Sequence, residues 1–349
     1  MSGSLLIAQG PYMFDPASPS GESIRSLFIM VLAITGVIFL LVEGVLLYSI
    51  VRFRRRASEI LPSPKGSEQD QGERPTETTE PPQVYGSMPI EIAWTVAPLL
   101  ICFLLALILA RTEYDVRVTP PEPQPGDHAL FVTVIGHQWW WEYVYDKYDG
   151  QEVNFISANE LHVPASEEGV PRPIYLTLKS ADVCHSFWVP RLAGKTDLIP
   201  GRTNQMWFQT KEQGLFLGQC AEYCGTQHAH MLLRVIVDSP ADFQSWLDDQ
   251  KKPAVDNGAV RAGRDIFLSQ SCVNCHRVRG TSANGTYAPD LTHLMSRQTL
   301  ASGMVPNTEV ELRKWVIDPQ QTKPGCLMPA FGLNDQQVES VVNYLRTLE

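Results

Sequence analysis

The sequence predicts a multidomain membrane protein: a hairpin of two transmembrane helices, an all-β sandwich or barrel, and a small helical domain. Three observations predict it. Residues 24–50 and 90–110 are apolar and long enough to cross the roughly 30 Å of bilayer hydrocarbon. From about residue 112 to 240 the pattern changes to short β-branched and aromatic runs broken by Gly and Pro. Near the end, Cys272-Val-Asn-Cys275-His276 has the C-x-x-C-H spacing of covalent haem attachment. A chain of 349 residues has room for two or three domains. Its formal net charge of −10 argues against nucleic acid as a partner.

The two spans come first. Arg52, Arg54, Arg55 and Arg56 follow the first span directly, and the positive-inside rule puts them in the cytoplasm. Residues 57–87 are rich in Pro, Glu, Ser and Thr and have nothing to build a core with. The expected organisation is an outer N-terminal segment (1–22), a hairpin (23–111) with a cytoplasmic loop (52–87), and everything after Arg111 outside. The first ten residues are too short for a full signal peptide, so either a leader precedes them or the tail crosses without one. Glu43 lies within the first span and Glu91 near the cytoplasmic start of the second. An intramembrane carboxylate costs free energy, which makes both functional candidates, although Glu91 is near enough to the interface to snorkel.

The β-region, 112–240, is read from runs such as ALFVTVIG (129–136), PIYLTL (173–178) and LLRVIV (232–237). Its chemistry lies in Cys184-His185 and in the loop Cys220-Ala-Glu-Tyr-Cys224-Gly-Thr-Gln-His228-Ala-His-Met231. Thiolates and imidazoles together favour copper or zinc, and a weak Met ligand favours copper. Cys224, His228 and Met231, with His185 as a remote imidazole, would suit a mononuclear copper site. Cys220 breaks that reading, because two thiolates separated by three residues can both bridge a pair of coppers. Zinc would more often use two CxxC-like pairs and would not want the Met. His230 fits no ligand slot and reads as a surface histidine. Cys184 is expected to point away from the site as a small buried residue of a strand. Trp140 and Trp141 read as packing or membrane-interface aromatics rather than redox residues.

Residues 241–257 read as a linker, and 258–349 as the haem domain. Its two thiols would add to the haem vinyls, with His276 as proximal ligand. A low-spin haem needs a sixth ligand, and Met raises its potential. Met328 is preferred over Met295 and Met304 for its Pro neighbour and its position ahead of an amphipathic helix at 334–348.

At these residues the chain resembles a known family, subunit II of the haem-copper cytochrome c oxidases, in the caa3 form that carries a fused cytochrome c. The resemblance rests on the two-cysteine loop, on GHQWWWEY at 136–143, on Asp182-Val-Cys-His185 and on KTDLIPG at 195–201. Glu91-Ile-Ala-Trp94-Thr95 is similar to the family's second-helix start. Gly325-Cys-Leu-Met328-Pro and Ala288-Pro-Asp-Leu291 resemble segments of class I cytochromes c. The resemblance implies a cupredoxin-like β-sandwich and an all-α class I cytochrome c domain. It implies a binuclear copper centre, CuA, held by His185, Cys220, Cys224, His228, Met231 and the Glu222 carbonyl. It further implies a Mg²⁺ bound by the Glu222 side chain against subunit I, electron entry at Trp139, and a proton-pathway mouth at Glu91. Function would be electron transfer from an external cytochrome or upstream respiratory complex, through haem c and CuA, to subunit I, where O₂ becomes water with proton translocation. Subunits I and III and membrane lipid are the expected partners, and a bacterial inner membrane, with both metal domains on its outer side, the expected location. A nitric-oxide reductase subunit is the alternative.

Charge adds to this reading. Residues 112–240 hold nine Lys and Arg against sixteen Asp and Glu, an acidic surface suited to steering a cationic donor, whereas 258–349 is near neutral. A tether would raise effective concentration instead, so transfer between the two domains is expected to depend weakly on ionic strength.

Overall fold

The computed structural model describes residues 8–9, 12–54, 85–117, 123, 127–255 and 257–349. Most of the expected cytoplasmic loop, 55–84, and parts of the N-terminal segment lie outside the described residues. After a short strand β1 (Ala8–Gln9) come two apolar helices, α1 (Pro19–Arg52) and α2 (Met88–Arg117), each longer than its expected span. Their side chains are apolar on every face and exposed, Leu40 at 70% and Phe103 at 63%, as in a helix whose surroundings are lipid or other apolar helices. Their few hydroxyls bond back to their own turns: Thr35 to the Val31 carbonyl at 2.9 Å, Ser49 to Val45 at 2.8 Å, and Thr95 to Glu91 at 2.8 Å. Such local bonds satisfy polar groups where no water is available.

Next is a two-sheet β-sandwich. One sheet runs in the order β4 (Gln151–Ala158), β3 (Trp140–Tyr148), β2 (Leu130–His137), β6 (Ile174–Ser180), β9 (Asn204–Phe208). The other runs β5 (Glu160–Pro164), β11 (Leu232–Asp238), β10 (Gly214–Cys220), β7 (His185–Trp188), β8 (Thr196–Leu198), with β1 also on β10. Strict alternation drives the packing. On β2, Leu130, Val132 and Val134 are buried, while Phe131, Thr133 and Ile135 between them are less so. Each fully buried aliphatic side chain of this kind contributes about 1.5–3 kcal/mol.

Two expectations need correction here. The segment 241–257 is not all linker: α3 (Pro240–Gln250) is capped by the Ser239 side chain and packs Phe243 and Leu247 into the sandwich core. Trp246 of the same helix stacks on His162, whose ring is held by Asp238 at 2.7 Å. Cys184 is exposed and lies outside the strands, because β7 starts only at His185.

The C-terminal domain is helical, apart from a two-strand ladder of β12 (Thr299–Leu300) and β13 (Val305–Pro306). Its helices are α4 (Arg261–Ser269), α5 (Cys272–Cys275), α6 (Glu309–Ile317), α7 (Pro319–Thr322) and α8 (Asp335–Leu345). An Asn334 and Gln337 capping box starts α8. The crossing of α4 on α8 depends on Gly263, where a Cβ would lie 1.9 Å from the Ser340 carbonyl oxygen. Phe267 and Tyr344 pack at this crossing, in a core separate from that of the sandwich.

Candidate metal centre and haem site

Strand register assembles the first site. In the antiparallel pair of β7 and β10, Phe187 lies opposite Cys220. This brings His185, at the start of β7, beside Cys220, at the end of β10. The chain then loops back through 221–231 into β11 and returns Cys224, His228 and Met231 to the same spot. Cys220 Sγ lies 3.8 Å from Cys224 Sγ and 3.9 Å from His185 Nδ1. Cys224 Sγ lies 3.6 Å from His228 Nδ1 and 3.9 Å from Met231 Sδ. The Glu222 carbonyl is 3.2 Å from Cys220 Sγ. Cys220, Cys224, His185 and Met231 are all buried.

This donor set fits a metal pair. A disulfide needs sulfurs about 2.05 Å apart, which these are not. A metal bound about 2.3 Å from each sulfur and about 2.0 Å from an imidazole nitrogen fits such separations. One imidazole stands beside each sulfur, so two metals sharing both thiolates would each find a nitrogen. The two sulfurs titrate as a pair: their mutual hydrogen bond holds the Cys220 thiol well below its ordinary value and pushes Cys224 up. One sulfur of the pair is thus favoured as thiolate and the other as thiol.

Around the donors is a supporting layer. His185 Nε2 meets Asp182 Oδ1 at 2.8 Å, which turns Nδ1 toward the sulfurs. Burial alone would raise the Asp182 carboxyl, but the bonds from His185 and from the Gln138 and Val183 N–H groups outweigh it and hold it below its ordinary value. Gly136 on β2 leaves room for the imidazole, since a Cβ there would lie 2.7 Å from His185 Cδ2. The Cys224 carbonyl accepts from Trp139 Nε1 at 2.9 Å and from Gln138 Nε2 at 2.8 Å. Trp141, fully buried, packs edge-on against His185, as a packing residue would. The ring of His230 bonds Gln227 rather than facing the sulfurs. The Glu222 side chain is exposed.

The second site is a cavity in the helical domain. Cys272, Cys275 and His276 line one side, and Met328 also lines it, whereas Met295 and Met304 do not. His276 Nδ1 bonds the Pro289 carbonyl at 2.8 Å, which leaves Nε2 for a metal. Burial lowers the His276 pKa and favours the neutral, ligating imidazole. Gln320 braces the distal loop, donating to the Cys326 carbonyl at 2.8 Å and the Met328 carbonyl at 3.0 Å. A flat apolar porphyrin with two vinyl groups suits this lining. Trp139 and Trp140 of the sandwich line the same cavity. Trp140, expected to be a packing or membrane-interface aromatic, therefore also borders the haem cavity.

Sequence reasoning missed three contributors. Gln138 and Lys323 act through backbone carbonyls of distant loops, and no local pattern signals such partners. Arg297, a cavity-lining cation that donates to the Asp290 carbonyl, sits in an unremarkable polar stretch. Glu91 lies in the first turn of α2 and Glu43 within α1, and neither has a bond that assigns it a role.

Comparison with known proteins agrees with this division. The family model "Cytochrome C oxidase subunit II, periplasmic domain" matches residues 130–239. Its transmembrane counterpart matches 7–67, and the model "Cytochrome c" matches 260–349. Cytochrome c oxidase subunit 2 of Alkalihalophilus pseudofirmus is 30% identical over 339 residues, covering 96% of this chain and 90% of that protein. The Bacillus subtilis subunit 2 is 30% identical over 317 residues, covering 86% and 82%. A crystal structure of the periplasmic domain of subunit II of cytochrome oxidase of Bradyrhizobium japonicum is 33% identical, covering 37% of this chain and 96% of that one, with a TM-score of 0.32.

Proposed function

The chain belongs to the cytochrome c oxidase subunit II family, and from that premise we propose that it carries electrons from an external cytochrome or respiratory complex to subunit I, where O₂ is reduced to water. The family models imply CuA copper for the sandwich and haem c for the helical domain. Bound there, both groups supply one-electron transfer and no substrate chemistry of their own. The relatives named as oxidase subunits favour this over a nitric-oxide reductase.

In this reading Cys220 and Cys224 would supply the thiolates that hold the coppers. His185, His228, Met231 and the Glu222 carbonyl complete the set, and Asp182 fixes the His185 ring. Cys272 and Cys275 would anchor the haem, and His276 and Met328 would ligate its iron. Trp139 bonds the Cys224 carbonyl and lines the haem cavity, so it supports an electron-entry role. The Glu222 side chain is free to ligate Mg²⁺ at the face of subunit I. Glu91 would open a proton pathway into subunit I. The two helices fit a bacterial inner-membrane anchor with both metal domains outside, in contact with lipid and with subunit III.

One observation carries the proposal: a buried pair of sulfurs, 3.8 Å apart and flanked by two imidazoles, behind a tryptophan that lines the haem cavity. Its test is metal analysis and copper EPR of the purified complex, with O₂ and then NO as acceptor. Binuclear copper, one haem c per chain and O₂ turnover are expected. Absence of the copper pair, or turnover of NO in preference to O₂, would overturn it.

A further inference from the structure

The haem domain does not hang from a tether. It is fastened to the copper loop, and the fastening passes through one lysine. Lys323 follows α7, five residues ahead of Met328, and is only 2% exposed. An ammonium group has three N–H donors and no acceptor, and here each finds a carbonyl. Lys323 Nζ donates to Trp139 at 2.8 Å, to His230 at 2.9 Å and to Ala301 at 3.0 Å. The first two belong to the copper domain: Trp139 bonds the Cys224 carbonyl, and His230 directly precedes Met231. The third belongs to the haem domain.

Two further contacts act alongside it. Gln227 of the copper loop donates to the Pro324 carbonyl, next to the lysine. At another point of the interface, Glu160, 1% exposed, accepts from the Gln298 N–H at 2.9 Å and from Thr299 Oγ1 at 2.7 Å, while paired with Arg234 at 3.3 Å. A buried ammonium held only by carbonyls is costly unless all three bonds form together. They form together only when the Met328 loop lies on the copper loop. Removing the donors would leave the Trp139, His230 and Ala301 carbonyls without this partner.

We propose that Lys323 is a positioning residue for electron transfer within the chain: it latches the distal loop of the haem domain onto the carbonyls of Trp139 and His230, so that haem and copper exchange electrons as a fixed pair rather than by tethered encounter. This rests on the copper and haem reading above.

The test uses the assembled oxidase. Haem c is reduced by a flash-activated photoreductant, and reduction of the copper is followed by absorbance. In the unaltered complex the rate should not change when sucrose raises the viscosity, and should change little with salt. In Lys323→Leu the haem and copper spectra and the haem potential should stay as they were. Transfer should slow roughly tenfold or more, as misplacement of reacting partners does, and should become viscosity-dependent. Lys323→Arg, which keeps donors and charge, should recover part of the rate. An unaltered rate in Lys323→Leu would overturn the latch. So would slowing accompanied by a shifted haem potential or a changed copper spectrum, which would make the lysine a support of one site only. Should Lys323→Leu fail to assemble, a viscosity-dependent rate in the unaltered complex decides against the latch by itself. An unaltered complex lacking the copper pair or haem c would instead sink the functional reading.

Discussion

The copper and haem sites are built on opposite plans. The proposed copper donors sit on the ends of hydrogen-bonded strands and on one short loop, and sheet register sets two of them side by side: His185 and Cys220 are neighbours because β7 pairs with β10. The proposed haem donors instead line a cavity among the helices and loops of their domain. The sandwich core is filled by its own side chains, whereas those of the helical domain border a cavity. The first domain should therefore be a preformed site and the second a ligand-dependent fold.

The largest effect expected from this contrast comes from removing the haem anchors. Cys272→Ala with Cys275→Ala should leave the helical domain open to limited proteolysis while the sandwich stays resistant. Survival of both would erase the contrast. Cys220→Ser comes next: the binuclear copper signal should vanish, with the sandwich still folded and the haem spectrum unaltered. A melting profile for the sandwich that collapses with the copper would show that its site is not preformed. Asp182→Asn removes the charge that orients His185, and copper affinity should drop about 10–100-fold, the usual cost of losing a partner in the layer behind a metal ligand. Competition with a chelator measures it. The mildest change is Met328→Ala, where haem should remain attached but its potential should fall. An unchanged potential would transfer the axial role to Met295 or Met304.

Legibility from sequence follows the same division. Donor types and spacings at 220–231 and 272–276 are local, so both candidate clusters are visible in the sequence itself. Helices α1 and α2 were equally plain, because lipid-facing side chains need no partner to be recognised. What could not be read depended on contacts across the fold. Phe243, Trp246 and Leu247 look like part of a linker until the strands they cover are known. Cys184 is exposed rather than part of a strand because the start of β7 is set by pairing with β8 and β10, not by its own residues. Lys323 and Glu160 bond partners more than ninety residues away in sequence. The resemblance to the oxidase family supplied roles for Trp139, Glu222 and Glu91 that no spacing carries.

The central claim is that the sulfurs of Cys220 and Cys224 share a copper pair that takes its electron from haem c of the same chain. Rapid-scan spectroscopy of the assembled complex after photoreduction of haem c tests it most directly. Haem c reoxidation and copper reduction should proceed with one common rate constant, independent of complex concentration. Haem c that reoxidises while the copper stays oxidised, or a Cys220–Cys224 disulfide in the active complex, would contradict it.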